Sequence, residues 1–118
     1  MTATQRAIIA WIPTEQGGRR QPPPGPQYLT MVRFEEDDQF SLGAWTLVVK
    51  FVRSIGDGHH TLADVGFLND DGPMQLLHPG SRFVLMEGAR WVAKGVVLPP
   101  TTAVPDRMSD FETSLIGG

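Results

Sequence analysis

The segment Arg82–Leu98 reads RFVLMEGARWVAKGVVL and decides the fold class of this 118-residue chain. Two largely apolar runs, Arg82–Glu87 and Arg90–Leu98, lie on either side of the dipeptide Gly88-Ala89. A two-residue connection with glycine first is typical of the mirror-image turns that match the twist of paired strands. The segment therefore predicts a β-hairpin.

Further strands are predicted upstream of this hairpin. The clearest is Trp45–Val52, because large apolar side chains recur there at every second position. Its inward face would carry Trp45, Leu47, Val49 and Phe51. Strands are also predicted at Arg6–Ile12, apolar on both faces, at Gln27–Phe34 and at Asp64–Leu68. Met74–Leu77 is short and apolar and is left open as a seventh strand. Six or seven short strands separated by turns imply an all-β fold, an antiparallel barrel or sandwich.

Glycine, proline and charged residues predict the loops between these strands. Gln16–Pro26 holds a dense run of Gly, Pro and Arg, and its prolines remove backbone donors. The acidic run Glu35–Asp38 predicts a solvated turn, because adjacent carboxylates repel one another. Ser54–Thr61 is rich in Gly, Asp and His and is predicted as a loop.

The composition changes after Leu98, and residues 101–118 are predicted to form a C-terminal tail that follows a domain at residues 1–100. Asp106 is a candidate N-cap for one short helix. Met108, Phe111 and Leu115 would share a face of that helix. We expect the tail to pack across an open barrel end, to dock on a partner or to be disordered.

Length and composition fit one small domain. A chain of 118 residues has room for a single core, and its three Trp and six Phe can fill it. Ten Lys and Arg against thirteen Asp and Glu give a net charge of -3, so any nucleic-acid site must be a local patch. The absence of Cys excludes disulfides and thiolate chemistry.

The sequence gives no membrane or export signal. It contains no apolar stretch of the length that crosses a bilayer, and its first residues lack the regions of a signal peptide. We therefore expect a cytoplasmic protein without membrane contact.

Signals for catalysis and metal binding are weak. Candidate metal ligands are Asp57, His59, His60, Asp64 and His78. Adjacent residues on a strand point to opposite faces, so this spacing does not suit one metal. The turn Asn69–Gly72 lacks the downstream ligands of a calcium loop, and the chain has neither a phosphate loop nor a catalytic Ser or Asp motif. We expect no enzyme activity, no nucleotide hydrolysis, no metal site and no cofactor.

Several short motifs resemble the third domain of translation elongation factor Tu. Glu15, Gly17, Gly18 and Arg19 match the family's Glu-Glu-Gly-Gly-Arg, in which glycines form a sharp turn. Pro26-Gln27-Tyr28 is similar to the family's Pro-Gln-Phe, and Arg82–Val97 is similar to its Arg-Phe-Ala-Ile-Arg-Glu-Gly-Gly hairpin and the following Arg. The resemblance covers Arg6–Leu98 and implies a small Greek-key-type β-barrel.

In that family the barrel has no catalytic chemistry and binds the T-stem of aminoacyl-tRNA and other domains. The resemblance implies RNA or partner contacts by Arg19, Gln27, Glu87, Gly88 and Arg90, with Gly17 and Gly18 forming the turn. An Arg side chain can bind phosphate, and Gln, Glu or a bare Gly backbone can meet 2′-hydroxyl groups. The chain departs from the family at Ala89, at the Pro22–Gly25 run and before Arg82, where an RNA-contacting Lys is expected.

Simpler structural roles are open for the same residues. Gly17 and Gly18 can form an ordinary turn with a solvated Arg19. Glu87 can pair with Arg90 across the hairpin. Trp11, Trp45 and Trp91 are predicted to pack in the core or at a barrel end rather than to stack on bases.

Three functions remain compatible with these patterns. The first is translation-linked binding of tRNA or of a protein of the translation apparatus. The second is a protein-interaction module of decoy or immunity type, without RNA affinity, and the third is a self-associating domain that forms a homo-oligomer. The retained motif residues make the first the expected function, because the evidence against it is compositional.

Overall fold

A computed structural model describes residues 3–13, 25–56 and 59–100. The strands in these ranges are β1 (Gln5–Trp11), β2 (Gln27–Phe34), β3 (Trp45–Ile55), β4 (His60–Phe67), β5 (Arg82–Glu87) and β6 (Arg90–Val97). Each strand pairs antiparallel with two others, and the order β1-β4-β3-β2-β5-β6 closes on itself. The predicted small all-β barrel is confirmed.

The strand order has the Greek-key pattern. β2, β3 and β4 are successive neighbours, whereas β1 lies beside β4 instead of beside β2. The predicted hairpin is present as β5 and β6, with Glu87 opposite Arg90. Met74–Leu76 forms a 3₁₀ turn and not a strand, so the described ranges contribute six strands to the barrel.

β3 and β4 are longer than predicted. The predicted loop Ser54–Thr61 is wrong at both ends, because its first two residues pair with its last two as strand. A register shift between Phe51 and Arg53 leaves Val52 as an extra, exposed residue. This bulge breaks the alternation of side chains, so the two-residue period stops while the strand continues.

The barrel interior is filled from alternating strand positions. In β3, Leu47 and Val49 are fully buried, and the aromatic residues before and after them pack against the core, as predicted. Aromatic rings occupy both ends of the interior. Phe34, Phe67, Phe83 and Trp45 are at one end, and Trp11, Tyr28 and Phe51 are at the other.

β1 is buried on both faces, as its sequence predicts. Ala7 and Ile9 belong to the interior core. Ile8 points to the outside of the barrel but is only 2% exposed. It forms a second apolar cluster with Ile55, Leu62 and Leu98. Burial on both faces explains why this strand has no polar side chain between Ala7 and Trp11.

The acidic run after β2 forms the predicted solvated turn. Glu35–Asp37 is a 3₁₀ turn with no buried residue. The carboxylate of Asp37 accepts hydrogen bonds from the backbone N–H groups of Ser41 at 2.8 Å and Leu42 at 2.9 Å. The bond from Leu42 contributes most to holding the pKa of Asp37 below its ordinary value.

Some expectations concern parts of the chain that the structure does not describe. The tail at 101–118, with its expected helical face, and the loop at 14–24 lie outside the described residues. In the described part of the chain, no helix has the length and apolar character needed to cross a membrane.

Candidate binding surface at the hairpin end

Four of the residues expected to contact a partner lie at one end of the barrel. β5 ends at Glu87 and β6 begins at Arg90, on either side of Gly88. β2 runs antiparallel to β5, so its first residue, Gln27, lies at the same end. We call the surface formed by Gln27, Glu87, Gly88 and Arg90 the hairpin rim. The barrel closure joins parts of the sequence that no local pattern connects.

Glu87 is held from two sides. The Tyr28 hydroxyl donates a hydrogen bond to Oε2 of Glu87, across 59 residues of sequence. Nη2 of Arg90 donates to Oε1 of Glu87 at 2.8 Å. The pairing of Glu87 with Arg90, expected as the simpler structural role, is present. This pairing fixes the Glu87 side chain, which is 26% exposed, while the Arg90 side chain is 52% exposed.

Gly88 presents bare backbone to solvent. Its φ is +64°, a left-handed value that glycine adopts without strain. A Cβ atom built at this position would have no atom within 4 Å. The backbone at the tip of the hairpin is therefore open to close approach by a ligand.

An aromatic layer lies beneath the hairpin rim. The ring of Trp11 makes edge-on contacts with Tyr28 and Phe51, with centroids 6.1 Å apart in both pairs. Nε1 of Trp11 donates a buried hydrogen bond to Oγ1 of Thr61 at 2.9 Å. Because Tyr28 also bonds Glu87, this layer connects the rim to the packed interior. The rim thus lies on a layer of packed aromatic side chains.

Arg19, Gly17 and Gly18 fall outside the described residues. The described residues on either side of their loop are Pro13, just after β1, and Gly25, just before β2. These two strand ends belong to the same end of the barrel as Glu87, because β1 pairs antiparallel with β6 and β2 pairs antiparallel with β5.

Sequence reasoning missed a groove on the outside of β2, β5 and β6. It has a volume of about 380 Å³. Its exposed or half-buried lining residues are Arg33, Glu35, Asp38, Arg82, Val84, Trp91 and Lys94. Strand pairing places Arg33 of β2 beside Val84 of β5. We call this feature the Trp91 groove.

The prediction that all three Trp residues pack in the core or at a barrel end is wrong for Trp91. Trp11 is 7% exposed and Trp45 packs against the core, whereas Trp91 is 41% exposed. A register shift in the β5–β6 pair causes the difference, because it turns Val92 inward and leaves Trp91 outside.

The histidines do not form a metal cluster in the described part of the chain. Residues 3–13, 25–56 and 59–100 contain no group of three or more His, Asp or Glu residues arranged to hold a metal ion. Nε2 of His78 instead bonds Oε1 of Glu36, and Nδ1 lies 3.0 Å from the carbonyl oxygen of Pro79. Asp57, one of the candidate ligands, lies outside the described residues.

No protein-family model matches this chain, and no curated protein is significantly similar to it.

Proposed function

We propose that the protein is a noncatalytic binding module that resembles the third domain of elongation factor Tu and binds RNA of the translation apparatus at the hairpin rim. One observation carries the proposal. Gln27 and the segment Glu87–Arg90, far apart in the sequence, lie at the same end of the barrel, where the backbone of Gly88 is open. Arg19 is a further contact that the resemblance adds.

The chemistry of the hairpin rim suits an RNA backbone. Arg90 supplies a guanidinium group for a phosphate, and the Gln27 amide and the Gly88 backbone can exchange hydrogen bonds with 2′-hydroxyl groups. The ion pair between Arg90 and Glu87 is exposed, and such pairs contribute only about 0–1 kcal/mol. Arg90 can therefore exchange Glu87 for a phosphate at little cost.

A binding titration with a T-stem minihelix of tRNA tests this function. We expect Arg90→Ala to weaken binding several-fold and to reduce the slope of log affinity against log salt by about 1, because one phosphate contact is lost. Arg6→Ala is the matched control. Arg6 pairs with Asp64 at 2.7 Å near the start of β1, at the opposite end of the barrel.

The control variant should bind the minihelix like the unchanged protein. Equal affinity of the Arg90 and Arg6 variants, or binding that does not respond to salt, would contradict RNA binding at the hairpin rim. Salt-sensitive binding that only the Arg90 variant loses would support it.

Protein interaction is the second candidate, because apolar side chains are exposed on the wall next to the rim. Leu29 is 44% exposed on β2, and Trp91 is 41% exposed on β6. A decoy or immunity-type module would form a protein complex that survives ribonuclease treatment, and a self-associating domain would form a homo-oligomer detectable by light scattering. Either result without minihelix binding would replace the RNA function.

A further inference from the structure

The Trp91 groove has an apolar floor surrounded by cations. Val84 of β5 is half buried and lies opposite Arg33 of β2 on one side and Lys94 of β6 on the other. Arg82 precedes Val84 by two positions and therefore shares its outward face. Among the described residues, neither Arg82 nor Lys94 has a carboxylate partner. Three positive charges therefore converge on one small surface of a protein whose net charge is -3.

Trp91 adds an aromatic wall to these cations. Its ring is exposed because the β5–β6 register shift turns it out of the barrel. The guanidinium carbon of Arg33 lies 5.8 Å from the ring centroid, within the range of a cation–π contact. Nε of Arg33 also donates to the carbonyl oxygen of Asp38 at 3.0 Å, which fixes its position. The groove thus offers a planar stacking surface of defined orientation.

Two carboxylates limit what the groove can hold. Glu35 and Asp38 are exposed and line the groove on the side of the turn after β2. With three cations and two carboxylates, the groove carries a small positive charge. Arg33 is held by the carbonyl oxygen of Asp38 and lies over the Trp91 ring, so Arg82 and Lys94 are the cations left for an anion. The arrangement favours one phosphate at Arg82 and Lys94 rather than a continuous phosphate track.

We propose that the Trp91 groove binds one unpaired nucleotide of RNA, with the base against Trp91 and the phosphate between Arg82 and Lys94. A nucleotide combines the anion and the flat aromatic ring that this surface complements. An acidic peptide would match the cations but would not stack on the exposed ring. The inference rests on the proposed function in taking RNA as the ligand, but it uses none of the hairpin-rim residues.

Titration with a short single-stranded oligoadenylate tests the groove. Fluorescence anisotropy of a dye-labelled oligoadenylate measures the affinity of every variant. In the unchanged protein, the NMR signal of the Trp91 indole N–H, assigned by its loss in Trp91→Phe, reports contact with the groove. We expect Trp91→Ala to weaken oligoadenylate binding about 10-fold or more and Trp91→Phe to retain most of the affinity, since phenylalanine still stacks. Lys94→Ala should also weaken binding and make it less dependent on salt.

Lys50→Ala is the matched control for Lys94→Ala. Lys50 lies on β3, where its register partners are Gln27 of β2 and Asp64 of β4, so it is outside the groove. This variant should bind oligoadenylate like the unchanged protein. Urea unfolding of each variant shows whether it retains the native fold, which is expected because both Trp91 and Lys94 are exposed.

The two proposals fail separately. Unchanged oligoadenylate affinity in Trp91→Ala overturns the groove, whatever Arg90→Ala does to minihelix binding. Loss of oligoadenylate binding in Trp91→Ala supports nucleotide binding at the Trp91 groove. This holds even if Arg90→Ala leaves minihelix binding intact, a result that would contradict RNA binding at the hairpin rim. A polyglutamate peptide that binds as tightly as oligoadenylate, with no loss in Trp91→Ala, would show a general anion surface and would also overturn the groove.

Discussion

Gly95 of β6 lies against the ring of Phe83 of β5, and a Cβ atom built on the glycine would come 2.3 Å from Cζ of that ring. The two residues are register partners inside the barrel. Phe83 is 2% exposed, and its ring lies 5.9 Å from that of Phe34. The missing side chain at Gly95 therefore makes room for a core aromatic residue at the end of the barrel opposite the hairpin rim.

Gly95→Ala should destabilise the protein by about 1–3 kcal/mol, because the added methyl group must displace a packed ring. Urea unfolding monitored by circular dichroism measures the change in the free energy of unfolding. In the double variant with Phe83→Leu, the loss should be smaller than the sum of the two single losses, because the clash is absent. Strict additivity would argue against this contact.

Gly88→Ala should destabilise the protein by about 1 kcal/mol, for a different reason. The φ of Gly88 is +64° and no atom lies within 4 Å of a built Cβ, so the cost comes from the backbone and not from packing. Gly88→Asn should cost less, since asparagine tolerates this conformation better than alanine. Equal losses for Ala and Asn, measured by thermal or urea unfolding, would contradict the turn conformation.

Trp11→Phe should destabilise the protein by about 1–3 kcal/mol, because it removes the buried hydrogen bond from Nε1 to Thr61. Trp91→Phe is the matched control at an exposed position, and it should change the free energy of unfolding by less than about 1 kcal/mol. Urea titration of both variants provides the comparison. A larger loss of unfolding free energy in Trp91→Phe than in Trp11→Phe would contradict the described burial of the two residues.

His78 should make stability depend on pH near neutrality. The Pro79 carbonyl, followed by Glu36, raises the pKa of His78 above its ordinary value of 6.5. A raised folded-state pKa gives a stabilising contribution that is fully present below about pH 6.5 and is lost as the pH rises through the folded-state pKa.

Urea midpoints measured from about pH 6 to pH 8.5 test this dependence. The unchanged protein should lose stability with rising pH relative to His78→Gln, which cannot titrate at this position. Added salt should reduce the difference in stability between the two proteins, because the side chains of His78 and Glu36 are about half exposed, at 48% and 49%. Parallel pH profiles for the two proteins would show that His78 does not cause the pH dependence of stability.

Local patterns predicted the strands well where side chains alternate without interruption. Gln27–Phe34 is a strand over the predicted residues, and the hairpin turn lies at Gly88-Ala89 as expected. Prediction failed at the two irregularities of the barrel. The bulge at Val52 hid the last three residues of β3, and the shift at Val92 reversed the expected burial of Trp91. A bulge is stabilised by contacts with neighbouring strands, so short-range periodicity does not reveal it.

The two candidate surfaces differ in how much of them the sequence could predict. A motif pointed to Gln27 and to Glu87–Arg90, and the pairing of Glu87 with Arg90 could be foreseen across the hairpin. The bond from Tyr28 to Glu87 could not, because it joins residues far apart in the sequence. The Trp91 groove has no motif at all. Its cations come from three strands, and they become neighbours only through the pairing of β2 with β5 and of β5 with β6.

The amino-acid sequence by itself determined that the chain forms short antiparallel strands, because side-chain alternation and the Gly88-Ala89 turn are properties of neighbouring residues. Only the tertiary structure decided which strands are neighbours, that the sheet closes, and which exposed side chains share a wall. The physical reason is that strand pairing uses backbone hydrogen bonds common to all residues. Partner choice therefore depends on how the whole set of apolar faces packs into one core.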